Sequence, residues 1–249
     1  MRNTIVWTLA SIAGLASFIL TLASHEPEPE RGIAAAMNRR VTERAVRDAW
    51  QAGQYQRVID LTRQAPTGND GSRPVWAWYW HALAQEQVGD RQQARIAWRG
   101  LLEQTQRRWP GQPDVPASWW NLGWARWGLD EPIQARVFWA RAVAALEPRA
   151  RIDPDAYGPW YDLACYRALA GDRTGSHRAW EHVVDQQIRL LESRPTPGTL
   201  AQVRAGADWA RTDPDLADVR GDRRFVEALG RLEQAISAAE SEIPGLIEG

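Results

Sequence analysis

Trp119-Trp-Asn-Leu-Gly-Trp-Ala-Arg-Trp-Gly-Leu-Asp130, followed by Ala135, Trp139 and Ala142, is the stretch that decides how this chain folds. Its tryptophans recur at one interval. Trp78, Trp119 and Trp160 lie 41 residues apart, and so do Trp98, Trp139 and Trp180. A fixed period of this length marks stacked supersecondary units. The interval also links small residues, Ala82, Gly123 and Ala164 in one column and Ala94, Ala135 and Ser176 in another. Small positions between large ones let two helices approach, one side chain entering the gap over the other's backbone. In each unit an apolar helical run ends near Gly89-Asp90, Leu129-Asp130 or Gly171-Asp172, and a second begins at once, so each unit reads as a helical hairpin. Arg108 to Pro116 and Pro148 to Pro159 separate the hairpins, because proline cannot continue a helix and biases the preceding residue away from one. No alternating strand pattern competes. The expectation is an all-α solenoid of helical hairpins.

Composition agrees with a packed fold. Hydrophobic residues make up 44% of the 249 residues, and 15 tryptophans outnumber the five tyrosines and three phenylalanines. All 30 basic residues are arginine. Without lysine there is no phosphate-loop lysine, Schiff base, pyridoxal phosphate attachment or kinase lysine. The net charge of −1, with arginines and carboxylates interspersed, offers no basic stripe for a phosphate backbone, so no nucleic-acid partner is expected.

At the N-terminus, Thr4 to Ser24 is a stretch of 21 residues without a charge. At about 1.5 Å per residue it can cross a hydrocarbon core of roughly 30 Å. Trp7 near one end suits an interfacial aromatic. The expectation for residues 1–24 is a transmembrane anchor; the alternative is a signal peptide cut after Ala23. Residues 25–40 begin with His25-Glu-Pro-Glu-Pro-Glu30 and read as a stiff spacer. Arg31, Arg39, Arg40 and Arg44 would by count put the repeats on the cytoplasmic side. The short basic N-terminus before the apolar helix instead places them outside the cytoplasm, and that orientation is adopted.

At this point the residues resemble the tetratricopeptide repeat (TPR) family of membrane-anchored bacterial-type proteins. Trp119-Trp-Asn-Leu122-Gly123, Leu129-Asp130, Ala135, Trp139, Ala142 and Glu147-Pro148 look like one repeat. Tyr161-Asp-Leu163-Ala164-Cys165-Tyr166, Gly171-Asp172 and Trp180 look like another, and Trp78, Ala82, Gly89-Asp90, Ala94 and Trp98 like a third. A weaker unit precedes them, with Trp50-Gln-Ala-Gly53-Gln-Tyr55 at its turn. The usual repeat has about 34 residues, so the surplus is expected in the second helix and the inter-repeat loop. Asp208-Trp-Ala-Arg-Thr-Asp213-Pro214-Asp215-Leu216 and the residues after it resemble a terminal cap. The domains are then repeats over 41–212 and a capping helix and tail over 213–249.

Chemistry is sparse. His177 and His182 are five apart, about 140° around a helix, and cannot share a ligand face. His81 occupies the column of Leu122 and Leu163 and reads as a packed histidine. Asp213, Asp215 and Asp218 lack calcium-loop spacing, with Ala217 among them and no turn glycine, and read as helix caps. Cys165, the single cysteine, reads as a small buried hydrophobe. No catalytic set, metal site or cofactor is expected.

The resemblance implies that first helices line a concave face binding a protein or peptide. Trp120, Trp124 and Trp127 stand at i, i+4 and i+7, within about 60° of one another, and one period away Tyr79 and Tyr161 fall level with Trp120. Together with Leu83 and Asn121 they make the expected groove. The alternative is that these indoles pack on neighbouring repeats. The function expected is a membrane-tethered scaffold without catalysis; the alternatives are a cell-wall or carbohydrate binder using exposed indoles, and a structural subunit of a membrane complex.

Overall fold

The computed structural model describes residues 43–68, 71–110 and 115–242. Its elements are α1 (43–51), α2 (Tyr55–Arg63), α3 (Val75–Gln87), α4 (Arg91–Arg108), α5 (Pro116–Gly128), α6 (Pro132–Ile152), α7 (Tyr157–Ala170), α8 (Arg173–Ser193), α9 (Pro197–Ala210), a 3-10 turn (Pro214–Leu216) and α10 (Arg223–Glu242). There is no strand among the described residues. They divide into two compact units, 43–142 and 143–242, the boundary falling within α6.

In the first unit helices pair as hairpins joined by three residues. Gly89 and Asp130 hold the turns with φ of 82° and 65°, and Gly171, one further period on, does the same at 87° in the second unit. The equivalent of Gly89 is therefore Asp130 itself, one residue later than the pairing of Leu129-Asp130 with Gly89-Asp90. The side chain of Asp90 caps α4 by accepting from the Gln93 N–H at 3.0 Å, and Asp172 caps α8 through the Gly175 N–H at 2.9 Å. Glu131 stands at that position before α6 and pairs instead with Arg126 at 2.6 Å.

The tryptophans of the second helices, Trp98, Trp139 and Trp180, are fully buried, as are the small columns. Those of the first helices, Trp78, Trp119 and Trp160, are half-buried. One period sets what covers the latter: Gly100 lies under Trp78, Arg141 stacks over Trp119 at 5.1 Å, and His182 stacks on Trp160 at 4.1 Å. The surplus over a short repeat sits in the second helices. α4, α6 and α8 have 18, 21 and 21 residues against 13, 13 and 14 for α3, α5 and α7. This corrects the expectation that Pro148 ends a helix, since α6 carries it internally. Pro148 lacks an N–H and so costs α6 one bond of its ladder, and the helix continues past it to Ile152.

In the second unit α10 lies along α8, burying Phe225, Ala228, Leu232, Ile236 and Ala239. Phe225 stacks on Trp180 with centroids 4.8 Å apart. No helix among the described residues is long and apolar enough to cross a membrane. The apolar stretch Thr4 to Ser24 and the spacer over 25–40 lie outside the described residues.

Candidate functional site

The expected groove residues have different fates. Tyr79, Leu83, Trp120, Asn121, Trp124 and Tyr161 are buried, whereas Trp127 is 43% exposed. Tyr79 on α3 lies 4.7 Å from Trp120 and 5.6 Å from Trp124 between ring centroids. Trp98 on α4 stacks on Trp124 at 6.0 Å with an interplanar angle of 8°, and Trp139 meets Trp124 edge-on at 5.6 Å. Trp120 and Trp124 thus lie in the seam between consecutive hairpins, as in the alternative of indoles packing on neighbouring repeats, while Trp127 of the same stripe keeps an open face. Offset and edge-on aromatic pairs bury large area with favourable quadrupole geometry, so the indoles serve the core. Asn121 turns back on its own helix, its Nδ2 donating to the Ala117 carbonyl at 2.7 Å. Tyr161 belongs to the other unit, where its hydroxyl donates to Asp213 Oδ2 at 2.7 Å.

What the first unit leaves open lies beside that seam. The exposed large apolar side chains between positions 88 and 137 are Val88, Ile96, Trp127, Ile133 and Val137. An ion pair from Arg95 to Asp130 at 3.0 Å ties α4 to the turn before α6, and Ile96, Trp127 and Ile133 all lie within three residues of one of its ends. Trp127 keeps one side near Trp139, 5.9 Å between centroids. On α6, Ile133, Val137 and Ala140 stand at i, i+4 and i+7 and are all exposed, roughly opposite the buried Ala135, Trp139 and Ala142. A helix apolar on opposite faces is one whose outer stripe expects cover. The sequence reading missed this stripe, although the lack of a polar face on α6 was there to be read.

The second unit holds a buried polar cluster. Asp213 Oδ1 accepts the Asp215 N–H at 3.0 Å and Oδ2 accepts from Tyr161 and, at 3.8 Å, from the Cys165 thiol. Burial raises the Asp213 carboxyl above the usual range, opposed by these donors. Burial, then the charge of Asp213, pushes the thiol well up, so Cys165 stays protonated. Ligand atoms of Cys165, Asp213 and Asp215 fall within 4.8 Å of one another. Asp213 thereby accepts from Tyr161, Cys165 and the Asp215 N–H, so the cluster acts as a joint fastening α7 to the 3-10 turn. Among the described residues the histidines are engaged apart: His81 with Thr62, His177 with Asp222 at 3.0 Å, and His182 with the Pro154 carbonyl at 2.7 Å.

No family model and no curated protein matches the chain. Solved structures similar to it include a Podosopora anserina chain described as a kinesin light chain with nearly identical TPR-like repeats. It is 18% identical, over 83% of this chain and 96% of that one, with a TM-score of 0.40. A single-substitution variant of the same protein is 21% identical over 88% and 98%, again at 0.40.

Proposed function

We propose that this chain is a non-catalytic, TPR-like scaffold, held at a membrane by Thr4 to Ser24 with its repeats outside the cytoplasm, that binds a protein partner. The partner docks on the exposed apolar surface around Trp127, Ile133 and Val137, beside the packed aromatic seam. The observation that carries this reading is the outward stripe of α6, where Ile133 is 81% and Val137 49% exposed on a helix whose opposite face is already buried. Exposed apolar groups concentrated in one region mark interaction surfaces. The test is affinity capture with the full-length protein from its host membranes in mild detergent, wild type against Ile133→Ser with Val137→Ser. The expected result is a co-purifying protein lost with the double variant at an unchanged melting temperature. Recovery of the same proteins by both forms refutes the surface.

A further inference from the structure

We infer that the outward stripe of α6 takes an amphipathic helix of the partner whose apolar seam is flanked by Asp or Glu, an inference that rests on the docking surface proposed above.

The molecule already shows how such a helix face is covered. α8 stands one period after α6, Trp180 corresponding to Trp139. Along it lies α10, with Phe225, Ala228 and Leu232 as its apolar seam. The flank of that contact carries ion pairs: Arg224 with Glu181 at 2.9 Å, Arg231 with Asp185 at 2.9 Å, and Arg173 with Asp222, beside which His177 Nε2 also lies. Glu181 and His177 are the period equivalents of Ala140 and Arg136. The face that α10 covers on α8 thus borders, at Ala140 and Arg136, the stripe that stands open on α6, while the equivalents of Ile133 and Val137 on α8 are the exposed polar Thr174 and Arg178.

Charge sets the sign of the occupant. Near the start of α8, Arg173 and His177 meet Asp222 of the covering segment, whereas further along the carboxylates Glu181 and Asp185 belong to α8 and the arginines to α10. On α6 the flanking charge is basic throughout: Arg136, at the position of His177, is exposed, with no carboxylate partner among the described residues, and Arg141 lies on the other side of the stripe, over Trp119. Residues 132–142 contain no acid. On α4, Arg99 is likewise exposed without a carboxylate partner among the described residues, one helical turn from Ile96. A helix with Leu or Ile at i, i+3, i+4 and i+7 and carboxylates beside them matches both the apolar stripe and these guanidinium groups. Arginine is suited to this pairing because its planar fork meets a carboxylate in two places.

The experiment places a photo-crosslinking amino acid at Val137 of the full-length protein in its host membranes, with Val226 as the control position, and maps the attached segment by mass spectrometry. The expected adduct is one protein segment with apolar helical spacing and flanking Asp or Glu. A synthetic peptide of that segment should bind the purified full-length protein and lose about tenfold in affinity with Arg136→Glu, regained when the facing acid of the peptide is changed to Arg. A segment without flanking acids, an adduct to lipid alone, or an affinity indifferent to Arg136→Glu overturns the inference. The capture experiment separates the two claims: if it yields no partner dependent on Ile133 and Val137, the docking surface itself fails and this inference with it.

Discussion

Gly123 has no room for a side chain. A Cβ there would lie 2.2 Å from Nε1 of Trp139, a ring that is fully buried and donates to the Trp120 carbonyl at 3.3 Å. The ring cannot swing away without losing that bond and its contact with Trp124. Gly123→Ala should therefore destabilise by about 1–3 kcal/mol from overpacking, although alanine favours a helix over glycine by about 1 kcal/mol. A denaturation midpoint equal to or above wild type would show that the small-residue column does not set the α5 to α6 distance. The column itself, Ala82, Gly123 and Ala164, was legible from the 41-residue interval. How closely the Trp139 ring stands against Gly123 was not, because that depends on the rotamer of a residue in another helix.

At the scale of elements, α2 and α3 are joined through a buried histidine. His81 Nδ1 lies 2.8 Å from Thr62 Oγ1, whose hydroxyl donates to the Val58 and Ile59 carbonyls, and Gln85 Nε2 lies 3.3 Å from His81 Nε2. One tautomer satisfies all of these: Nδ1–H donates to Thr62 and Nε2 accepts from Gln85. A second proton would leave two donors facing each other. Burial, and after it the charges of Arg73 and Arg63, lowers the imidazole from the ordinary 6.5 to about 4. Between these two values the unfolded chain binds a proton that the folded chain refuses, so this contribution is whole above pH 6.5 and is lost as pH falls towards 4. The melting temperature should fall across that window on acidification, and less steeply in His81→Leu, which copies Leu122 and Leu163 of the same column. Equal slopes for the two proteins would remove His81 as the cause. The sequence placed His81 in a packed column, but its Thr62 partner lies 19 residues away in another helix, beyond what a repeat alignment specifies.

For the whole molecule, the question is attachment. Thr4 to Ser24, uncharged through 21 residues, makes a retained anchor the expected outcome: full-length protein stays in the membrane fraction through an alkaline carbonate wash. Release of a shortened protein beginning near Ser24 would show a cleaved signal peptide instead.

Pattern along the chain determined the helical state, the hairpin period and the approximate turns, because these depend on residues within one or two helical turns of each other. It also marked the second-helix tryptophans, whose recurrence beside small residues is a packing signature. Only the tertiary structure decided which face of a stripe is covered. Trp120, Trp124 and Trp127 share one side of α5, yet Tyr79 and Trp98 reach the first two from the preceding hairpin, while the third keeps 43% of its surface open. A helical wheel gives the angle of a side chain and not its neighbour, and burial belongs to the neighbour. The same holds for α6, where the inner stripe meets Trp124 and the outer stripe, equally apolar in sequence, meets solvent.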